Sequence, residues 1–270
     1  KIAVVTGASS GMGREFARQL AALGEVEEIW AIARNADRLS ALEGTVAVPV
    51  RVLPMDVSDM QAVEAYRAAL EQAQPEVAWL VNSAGFGKFC DYSQISMAQS
   101  VAMIDTNCKG LVAMTLATLP HMHEGAHIVN LASASAFQPL PWINIYGASK
   151  AFVRNYSRAL NRELKRRKIT VTAVCPYWVR TNFFDTAHAH EGAAIITKYE
   201  VMYEACDVVK KALRDAGRGR DMSVYGARNK FQHVAAKLLP QRVVMNIWQH
   251  RQKLKNRRIM KDLADAISWV

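Results

Sequence analysis

The chain lacks the features that mark several large protein classes. It has four cysteines in 270 residues, with no CxxC pair and no Cys/His cluster at metal-ligand spacing, so neither a disulfide scaffold nor a metal site is expected. No apolar run is long enough to span a bilayer, and no signal-peptide pattern is present. We therefore expect a cytoplasmic protein in which Cys90, Cys108, Cys175 and Cys206 are each buried and reduced.

Negative charge is missing from the last part of the chain. Between Met222 and Lys261 there is no Asp or Glu but there are ten Lys and Arg residues, which equals the whole formal net charge of +10. The rest of the chain therefore balances to zero. Because 51% of the residues are apolar, the composition predicts one folded domain with a basic C-terminal segment rather than a disordered or uniformly basic chain.

Short runs rich in Val and Ile alternate with amphipathic stretches. The runs do not alternate strictly between apolar and polar residues, as expected for strands buried on both faces of a parallel sheet. The pattern predicts an α/β fold, a doubly wound parallel sheet of the Rossmann type followed by a basic helical C-terminal extension. The predicted strands are Ile2–Val5, Glu28–Ala33, Val48–Met55, Val77–Val81, His127–Ala132, Ile169–Val174 and Met222–Gly226. The predicted helices are Gly11–Leu23, Ser58–Gln72 capped by Ser58, Ser96–Leu119 capped by Ser96, Ala148–Arg167 and Val201–Ala216.

A glycine-rich loop follows the first predicted strand. It reads TGASSGMG over Thr6–Gly13 and leads into the first predicted helix. Glycines at positions 7, 11 and 13 let the backbone turn tightly and approach a pyrophosphate, which the N–H groups of the helix N-terminus would bind. In this place the loop predicts nucleotide binding, with Thr6, Gly7, Ser9, Ser10, Gly11, Met12 and Gly13 as candidate contacts.

The spacing TGxxxGxG, rather than GxGxxG, resembles that of the short-chain dehydrogenase/reductase family. The resemblance continues in order through Asp56-Val57, Asn82-Ser83-Ala84-Gly85, Asn107, Ser133, Tyr146, Lys150 and Pro176–Thr181, the last of which is similar to PGxVxT. Two positions depart from the family pattern: Ser83 replaces the second Asn of NNAG, and Tyr177 replaces Gly. The motifs extend from Ile2 to about Thr181.

The resemblance implies a catalytic set made of Ser133, Tyr146, Lys150 and Asn107. Tyr146 would exchange a proton with the substrate oxygen and Ser133 would polarise that oxygen, while Lys150 would hold the nicotinamide ribose. Asn107 would organise a water-linked proton route to Lys150. The i, i+4 spacing places Tyr146 and Lys150 on one helix face, where an ammonium and the nicotinamide charge would lower a phenol pKa that is otherwise about 10. The resemblance further implies cofactor contacts at Asp56, Val57, Asn82, Ala84, Gly85, Tyr146, Lys150, Pro176, Val179 and Thr181.

The residue after the second predicted strand bears on the cofactor. It is Arg34, with Arg38 one turn further on and no carboxylate at the position that would accept from ribose hydroxyls. A guanidinium suits a 2′-phosphate and has little to offer a bare diol. We therefore expect NADP, with NAD left open. Ser10 is a counter-indication, because many NADP-dependent members of the family carry a basic residue in that loop.

In the family, the segment after PGxVxT forms a lid over the substrate, which here would be about residues 182–199 of a catalytic domain spanning 1–226. Apart from Lys198 the lid has no Lys or Arg, so a small, highly charged substrate is not favoured. We expect hydride transfer involving a lipophilic carbonyl or secondary alcohol, steroid-like or fatty acyl. The expected pocket lining is Phe183, Phe184, Ile195, Ile196, Phe86, Phe137, Leu140, Trp142 and Trp178. The alternative is an NADP-binding sensor or scaffold without turnover that acts through its basic segment.

Residues 227–270 are predicted to form a helical extension packed on the same domain. Helical spacing is approximate at Val243, Val244, Ile247, Leu254 and Ile259. Three interpretations stay open: a packed helix with a solvated basic face, contact with a membrane surface that would make the protein membrane-peripheral, and binding of an acidic partner by residues 227–261. Nucleic acid is not expected, because no recognition motif accompanies the charge. A homodimer is left open.

Overall fold

The computed structural model describes residues 1–189, 195–196, 198–199 and 201–252. The strands in this part of the chain are β1 Ile2–Thr6, β2 Glu28–Ala33, β3 Val50–Pro54, β4 Val77–Asn82, β5 His127–Leu131, β6 Thr170–Val174, β7 Trp178–Val179, β8 Met202–Tyr203 and β9 Met222–Ser223. Seven of them form a parallel sheet in the order β3-β2-β1-β4-β5-β6-β9, and β7 pairs with β8. The order runs outward from β1 and β4 in both directions, which is the doubly wound arrangement with a ligand crevice at its switch point. The predicted fold is confirmed.

Helices cover both faces of this sheet. They are α1 Gly11–Leu23, α2 Ala36–Glu43, α3 Met60–Ala73, α4 Met97–Ile104, α5 Leu111–Thr118, α6 Asn144–Glu163, α7 Phe183–His188, α8 Ala205–Gly217, α9 Ala227–Leu238 and α10, residues 241–252. Ala3 and Val5 belong to the apolar cluster that contains α1 and α8, whereas Val4 belongs to the cluster with α3 and α5. All three are fully buried. A strand covered on both faces needs apolar residues at consecutive positions, which explains the unbroken runs in the sequence.

The predicted cap at Ser58 is wrong. The first turn of α3 is capped by Asp59, whose carboxylate accepts from the Gln61 N–H at 2.9 Å. The Ser58 hydroxyl is engaged elsewhere, because it donates to Asp56 Oδ1 at 2.7 Å. The predicted cap at Ser96 is confirmed, since its hydroxyl accepts from Gln99 N–H in a capping box.

Three predicted helices have different bounds in the structure. The helix predicted over Ser96–Leu119 is interrupted by a π-helical turn at Asp105–Gly110 between α4 and α5. The helix predicted from Ala148 begins at Asn144, so that Tyr146 lies inside its first turn. The helix predicted from Val201 begins at Ala205, because Met202–Tyr203 pair with Trp178–Val179 as strands.

The four cysteines are free thiols. Cys90 and Cys175 are buried and Cys108 is half-buried, but Cys206 is exposed, so the expectation of burial is wrong there. Among the described residues no group of His, Cys, Asp and Glu side chains is arranged to hold a metal ion. Within the same part of the chain, no helix combines the length and the apolarity that crossing a membrane requires.

Candidate active site

The loop between β1 and α1 is held in a shape that only glycine allows. Gly7 and Gly11 have φ of +70° and +52°, in the left-handed region. A Cβ on Gly13 would lie 2.2 Å from the carbonyl oxygen of Gly7, and one on Gly7 would lie 2.9 Å from Ala84 N. Ser10 is the N-cap of α1 but its side chain makes no capping hydrogen bond, so the N–H groups of the first turn stay available for an anion.

Two predicted cofactor contacts lie beneath the site rather than in it. The Thr6 hydroxyl is buried and accepts from the N–H groups of Ser83 and Ala84, each at 3.1 Å. Asn82 is also buried and donates from Nδ2 to Thr115 Oγ1 at 3.0 Å and to Asn130 Oδ1 at 2.9 Å. Neither side chain lines the cavity described below. The structure therefore gives both a positioning role, because they join the carboxyl ends of neighbouring strands.

Arg34 lies at the outer end of the loop, as expected from its place after β2. Its guanidinium is 3.9 Å from Asp56 Oδ2, and 79% of the Arg34 side chain is exposed. An ion pair this exposed contributes little to the free energy of folding, so the Arg34 guanidinium can exchange this contact for one with a phosphate. Burial raises the pKa of Asp56, but hydrogen bonds from Ser58 and the charge of Arg34 outweigh it and hold that pKa below its ordinary value.

The predicted catalytic residues come together at the carboxyl end of β5. Tyr146 and Lys150 project from α6, and Ser133, whose side chain is near enough to lower the pKa of the Tyr146 hydroxyl, directly precedes a short helical turn after β5. Lys150 Nζ lies 5.7 Å from the centroid of the Tyr146 ring and donates to the carbonyl oxygen of Leu131 at 2.7 Å. The phenol of Tyr146, the hydroxyl of Ser133 and the ammonium of Lys150 thus lie close together.

Asn107 lies behind this group, in the π-helical turn. Its Oδ1 accepts from Phe86 N–H at 3.0 Å, and its Nδ2 donates to Phe86 O at 2.9 Å and to Ser149 Oγ at 3.0 Å. A Cβ on Gly85 would lie 2.7 Å from Asn107 Oδ1 and 3.4 Å from Lys150 Nζ. The absence of a side chain at Gly85 is therefore what lets Asn107 and Lys150 approach the same place.

The pKa of Tyr146 differs from the sequence-based expectation. Burial raises it to about 12, against a smaller lowering by the hydrogen bond with Ser133. Burial also lowers the pKa of Lys150 to about 8. Both shifts have one cause: a low-dielectric site disfavours the charged form of each group. The ammonium is directed at Leu131 O rather than at the phenol, so spacing alone does not lower the phenol pKa in this chain.

Aromatic rings surround Tyr146, and sequence reasoning missed the central one. Phe89 is fully buried and its ring centroid lies 5.9 Å from that of Tyr146, 5.9 Å from Trp178 and 5.8 Å from Phe183. Gly87 was missed too: a Cβ there would lie 2.8 Å from Tyr146 Cδ2. The sequence feature that could have revealed both residues is the pair of glycines around Phe86, soon after a strand that ends at the ligand crevice.

One cavity of about 700 Å³ joins the glycine loop to the catalytic residues. Its lining includes the predicted contacts Gly7, Ser9, Ser10, Gly11, Met12, Gly13, Arg34, Asp56, Val57, Ala84, Gly85, Ser133, Tyr146, Lys150, Pro176, Val179 and Thr181. Of the expected apolar lining, Phe86, Leu140, Trp178, Phe183 and Phe184 take part. Phe137, Trp142, Ile195 and Ile196 do not line the cavity, and Phe137 instead packs in the cluster around Cys175.

The basic extension also forms part of the cavity wall. One face of α9 and one face of α10 line it, through Arg228, Phe231, Gln232, Ala235, Ala236, Leu239, Val244, Ile247, Trp248, Arg251 and Gln252. Asn229 donates to Cys175 O at 2.8 Å, and Trp248 Nε1 donates to Pro141 O at 3.0 Å. Of the residues with predicted helical spacing, Val243, Val244 and Ile247 lie in α10, whereas Leu254 and Ile259 lie outside the described residues.

Comparison with known proteins identifies the family of this chain. A family model described as short chain dehydrogenase matches residues 1–192. Over 191 residues the chain is 39% identical to sulfoacetaldehyde reductase 2 of Chromohalobacter salexigens, covering 67% of this chain and 74% of the relative. It is 36% identical over 178 residues to an NADP-dependent 3-hydroxy acid dehydrogenase of Salmonella typhi, covering 65% and 71%. A solved short-chain dehydrogenase from Sphingobium yanoikuyae in complex with NADPH has a TM-score of 0.72 and 26% identity, covering 87% of this chain and 92% of that one.

Proposed function

Because this chain belongs to the short-chain dehydrogenase/reductase family of oxidoreductases, we propose that it transfers hydride between NADP(H) and the carbonyl or secondary alcohol of a mainly apolar substrate. The observation that carries the proposal is the cavity itself. The side chains of Ser133, Tyr146 and Lys150 line the same cavity as the glycine loop and Arg34. A phosphate cradle and an acid–base group in one cavity are what a nicotinamide-dependent reaction requires.

The residues present fit such a cofactor. The cradle at Gly7 and Gly13 is closed to any side chain, and the free N–H groups at the start of α1 would hold the pyrophosphate. Arg34 would hold the 2′-phosphate, Asp56 and Val57 would border the adenine, and Lys150 would reach the nicotinamide ribose. When bound, the nicotinamide supplies or accepts the hydride. The name of the Salmonella protein as NADP-dependent and the solved complex of the Sphingobium protein with NADPH support NADP here, and NAD stays the alternative.

The roles of the chain's own side chains follow from their contacts. In reduction, the Tyr146 hydroxyl donates its proton to the substrate oxygen while Ser133, which lines the same cavity, donates a hydrogen bond to that same oxygen. The Lys150 ammonium stabilises the phenolate left on Tyr146. Asn107 holds the Phe86 backbone and Ser149 in place, which fixes the floor beneath Lys150.

The substrate's apolar body is a finer proposal, and the rings around Tyr146 support it. Phe89 packs edge to face on the Tyr146 ring and Phe183 packs on it at a tilt, while Trp178 packs on Phe89. Trp248 of α10 belongs to the same cluster. The named relatives act on sulfoacetaldehyde and on 3-hydroxy acids, which are small and polar. An aromatic wall of this extent offers such molecules little, whereas ring systems and acyl chains gain free energy from it.

The cofactor assignment is tested by Arg34→Leu. We expect the dissociation constant for NADPH to rise about 10- to 100-fold, because a charge-assisted hydrogen bond to phosphate is lost, and that for NADH to stay unchanged. Binding is measured by quenching of intrinsic fluorescence, with Arg67→Leu as control, since Arg67 is paired to Glu64 on α3 away from the cavity. If the wild-type chain binds NADH more tightly than NADPH, the assignment is wrong.

We propose an anionic membrane surface as the partner of the outward face of α9 and α10. Leu238 and Val243 there are 78% and 41% exposed, beside Lys237 and Arg242, and none of these four lines the cavity. Apolar side chains among cations are suited to an anionic interface.

The chain should cosediment with vesicles containing phosphatidylserine, and less of it should do so at high salt. The double substitution Leu238→Glu and Val243→Glu should abolish this binding. Absence of binding at low salt contradicts the proposal, and binding of an acidic protein instead supports the alternative partner.

A further inference from the structure

One turn beside the active site has a backbone conformation that its residue disfavours. Trp142 has a φ of +68°, in the left-handed region, where a residue with a Cβ is strained. Two other non-glycine residues in the described part of the chain have a positive φ, Gln74 and Lys168, and both end helices, where this conformation is usual. Trp142 instead lies two residues before the start of α6, so its conformation needs a separate cause.

Trp142 occupies the third position of a β-turn over residues 140–143. The Ile143 N–H donates to the Leu140 carbonyl oxygen at 3.4 Å, and Pro141 takes the second position. Proline at the second position and a positive φ at the third are the features of a type II turn, in which glycine or asparagine normally takes the third position. In a type I turn the third residue would have a φ of about −90°, which tryptophan adopts without strain.

The hydrogen bond from Trp248 explains why the strained turn is kept. Type I and type II turns differ in the orientation of their central peptide, which here joins Pro141 to Trp142. The carbonyl of that peptide is the group that accepts the indole N–H of Trp248 at 3.0 Å. Rotation of the peptide to the type I orientation would turn this carbonyl away from the indole and break the hydrogen bond. The contact with α10 thus stabilises the turn type that Trp142 disfavours.

Helix α10 has little buried surface of its own. Among its residues 241–252 only Gln252 is buried, whereas α6 buries seven of its twenty residues. Trp248 is half-buried and packs in the aromatic cluster that contains Tyr146. Because a helix with few buried residues opens locally at a small cost in free energy, the contact of Trp248 with the turn has a large influence on how often α10 is docked.

The turn and α10 both border the cavity in which the substrate is proposed to bind. Leu140 and Ile143 of the turn line the cavity, and so do Val244, Ile247 and Trp248 of α10. All five side chains are apolar or aromatic. Docking of α10 on the turn therefore forms an apolar wall of the cavity without involving the glycine loop.

We propose that Trp248 is a positioning residue that forms the apolar wall of the substrate site by docking α10, and that Trp142 sets how firmly α10 docks. Docking requires the type II turn, and the positive φ of Trp142 opposes that turn. The helix therefore opens more readily than it would over an unstrained turn, which lets a large apolar substrate enter and its product leave. The role in substrate binding rests on the proposed function, whereas the coupling of α10 to the turn does not.

Hydrogen–deuterium exchange of the α10 backbone amides in the full chain tests this coupling. Trp142→Ala and Trp142→Gly both remove the indole, but only glycine accepts a positive φ without strain. We expect the α10 amides to exchange about 5- to 30-fold more slowly in Trp142→Gly than in Trp142→Ala, because the turn no longer opposes docking. When either substitution is combined with Trp248→Phe, which keeps an aromatic ring but lacks the N–H, this difference should disappear.

Trp248→Phe alone should speed exchange of the α10 amides by about 2- to 10-fold, since one hydrogen bond is lost. Trp79→Phe is the matched control: the Trp79 indole donates to Glu25 Oε2 at 3.0 Å and lies outside the cavity lining, so α10 should exchange as in the wild type. Equal exchange in Trp142→Gly and Trp142→Ala overturns the inference. A difference between them that persists without the Trp248 N–H overturns it as well.

Steady-state kinetics test the role of this wall in substrate binding, with 2-decanone and acetone each offered with NADPH. Trp248→Phe should raise KM for 2-decanone about 3- to 10-fold, because apolar contact is lost. The KM and kcat for acetone and the dissociation constant for NADPH should stay within about twofold. An unchanged KM for 2-decanone contradicts the role of Trp248 in the substrate site. If exchange shows the coupling but the wild type reduces neither ketone, the coupling is supported and the proposed function is contradicted.

Discussion

Tyr146→Phe should lower kcat for NADPH-dependent carbonyl reduction by roughly 100- to 10,000-fold, the range that general acid catalysis contributes. The substitution removes one oxygen and keeps the ring, which packs against Phe89 and Phe183. The fold and the apolar wall should therefore survive. Because the glycine loop and Arg34 are unchanged and at most one neutral hydrogen bond to the cofactor is lost, the dissociation constant for NADPH should rise by no more than about tenfold. Steady-state NADPH oxidation and fluorescence titration measure the two quantities.

Tyr156→Phe is the matched control for this experiment. Tyr156 lies on the same helix, α6, outside the cavity lining, so its loss of a hydroxyl should leave kcat unchanged. Turnover by Tyr146→Phe at the wild-type rate would remove the phenol from the mechanism. Tight NADPH binding with no turnover by either protein, over a broad panel of carbonyl compounds, would instead favour a cofactor-binding sensor.

The parts of the site that sequence predicted well are those coded by contiguous residues. The glycine loop needs three positions without Cβ within seven residues, and the structure shows a backbone contact at Gly7 and at Gly13 that any side chain would break. Likewise, strands buried on both faces must be apolar throughout, so their positions and their carboxyl ends could be read from the runs of Val and Ile. Ser133, Tyr146 and Lys150 were identified through the resemblance to the short-chain dehydrogenase/reductase family, and all three line one cavity in the structure.

The parts that sequence missed depend on contacts between distant segments. The sequence predicts a helical extension packed on the domain, but nothing in the pattern of α10 shows that Trp248 reaches Pro141 or that α9 and α10 line the cavity. Phe89 lies in no predicted element, yet it is the ring around which Tyr146, Trp178 and Phe183 pack. The cap of α3 was predicted one residue too early, because Ser and Asp are both good N-cap residues. The Ser58 hydroxyl is hydrogen-bonded to Asp56, so Asp59 caps the helix.

The direction of the pKa shifts was also beyond the sequence. A tyrosine and a lysine four residues apart suggest a lowered phenol pKa, but the burial that both share acts on each separately. Burial raises the pKa of Tyr146, so the phenol keeps its proton, and it lowers the pKa of Lys150, so the ammonium loses its proton more easily. Without a bound cofactor, Tyr146 is therefore a neutral acid and Lys150 beside it is an amine that titrates easily. A neutral phenol is the form that donates a proton in reduction.

Lys150→Met is expected to lower kcat by roughly 100- to 1,000-fold, because the charge that stabilises the Tyr146 phenolate is lost. It should also change how stability depends on pH. In the folded chain burial lowers the pKa of Lys150 from 10.5 to about 8, so between these values the unfolded chain binds more protons than the folded one. The free energy of unfolding therefore contains a part that rises with pH from about 8 toward 10.5.

That part amounts to about 2 kcal/mol between pH 8 and pH 10 and should be absent from Lys150→Met. Urea unfolding of both proteins at the two pH values measures it as a difference of differences, in which the cysteines cancel because both proteins contain them. Lys165→Met, in the exposed turn after α6, should behave like the wild type. If the wild type and Lys150→Met show the same pH slope, Lys150 is charged and solvated in the folded chain. It could then not lie in the desolvated position from which it acts on Tyr146, and the mechanism would lose its second group.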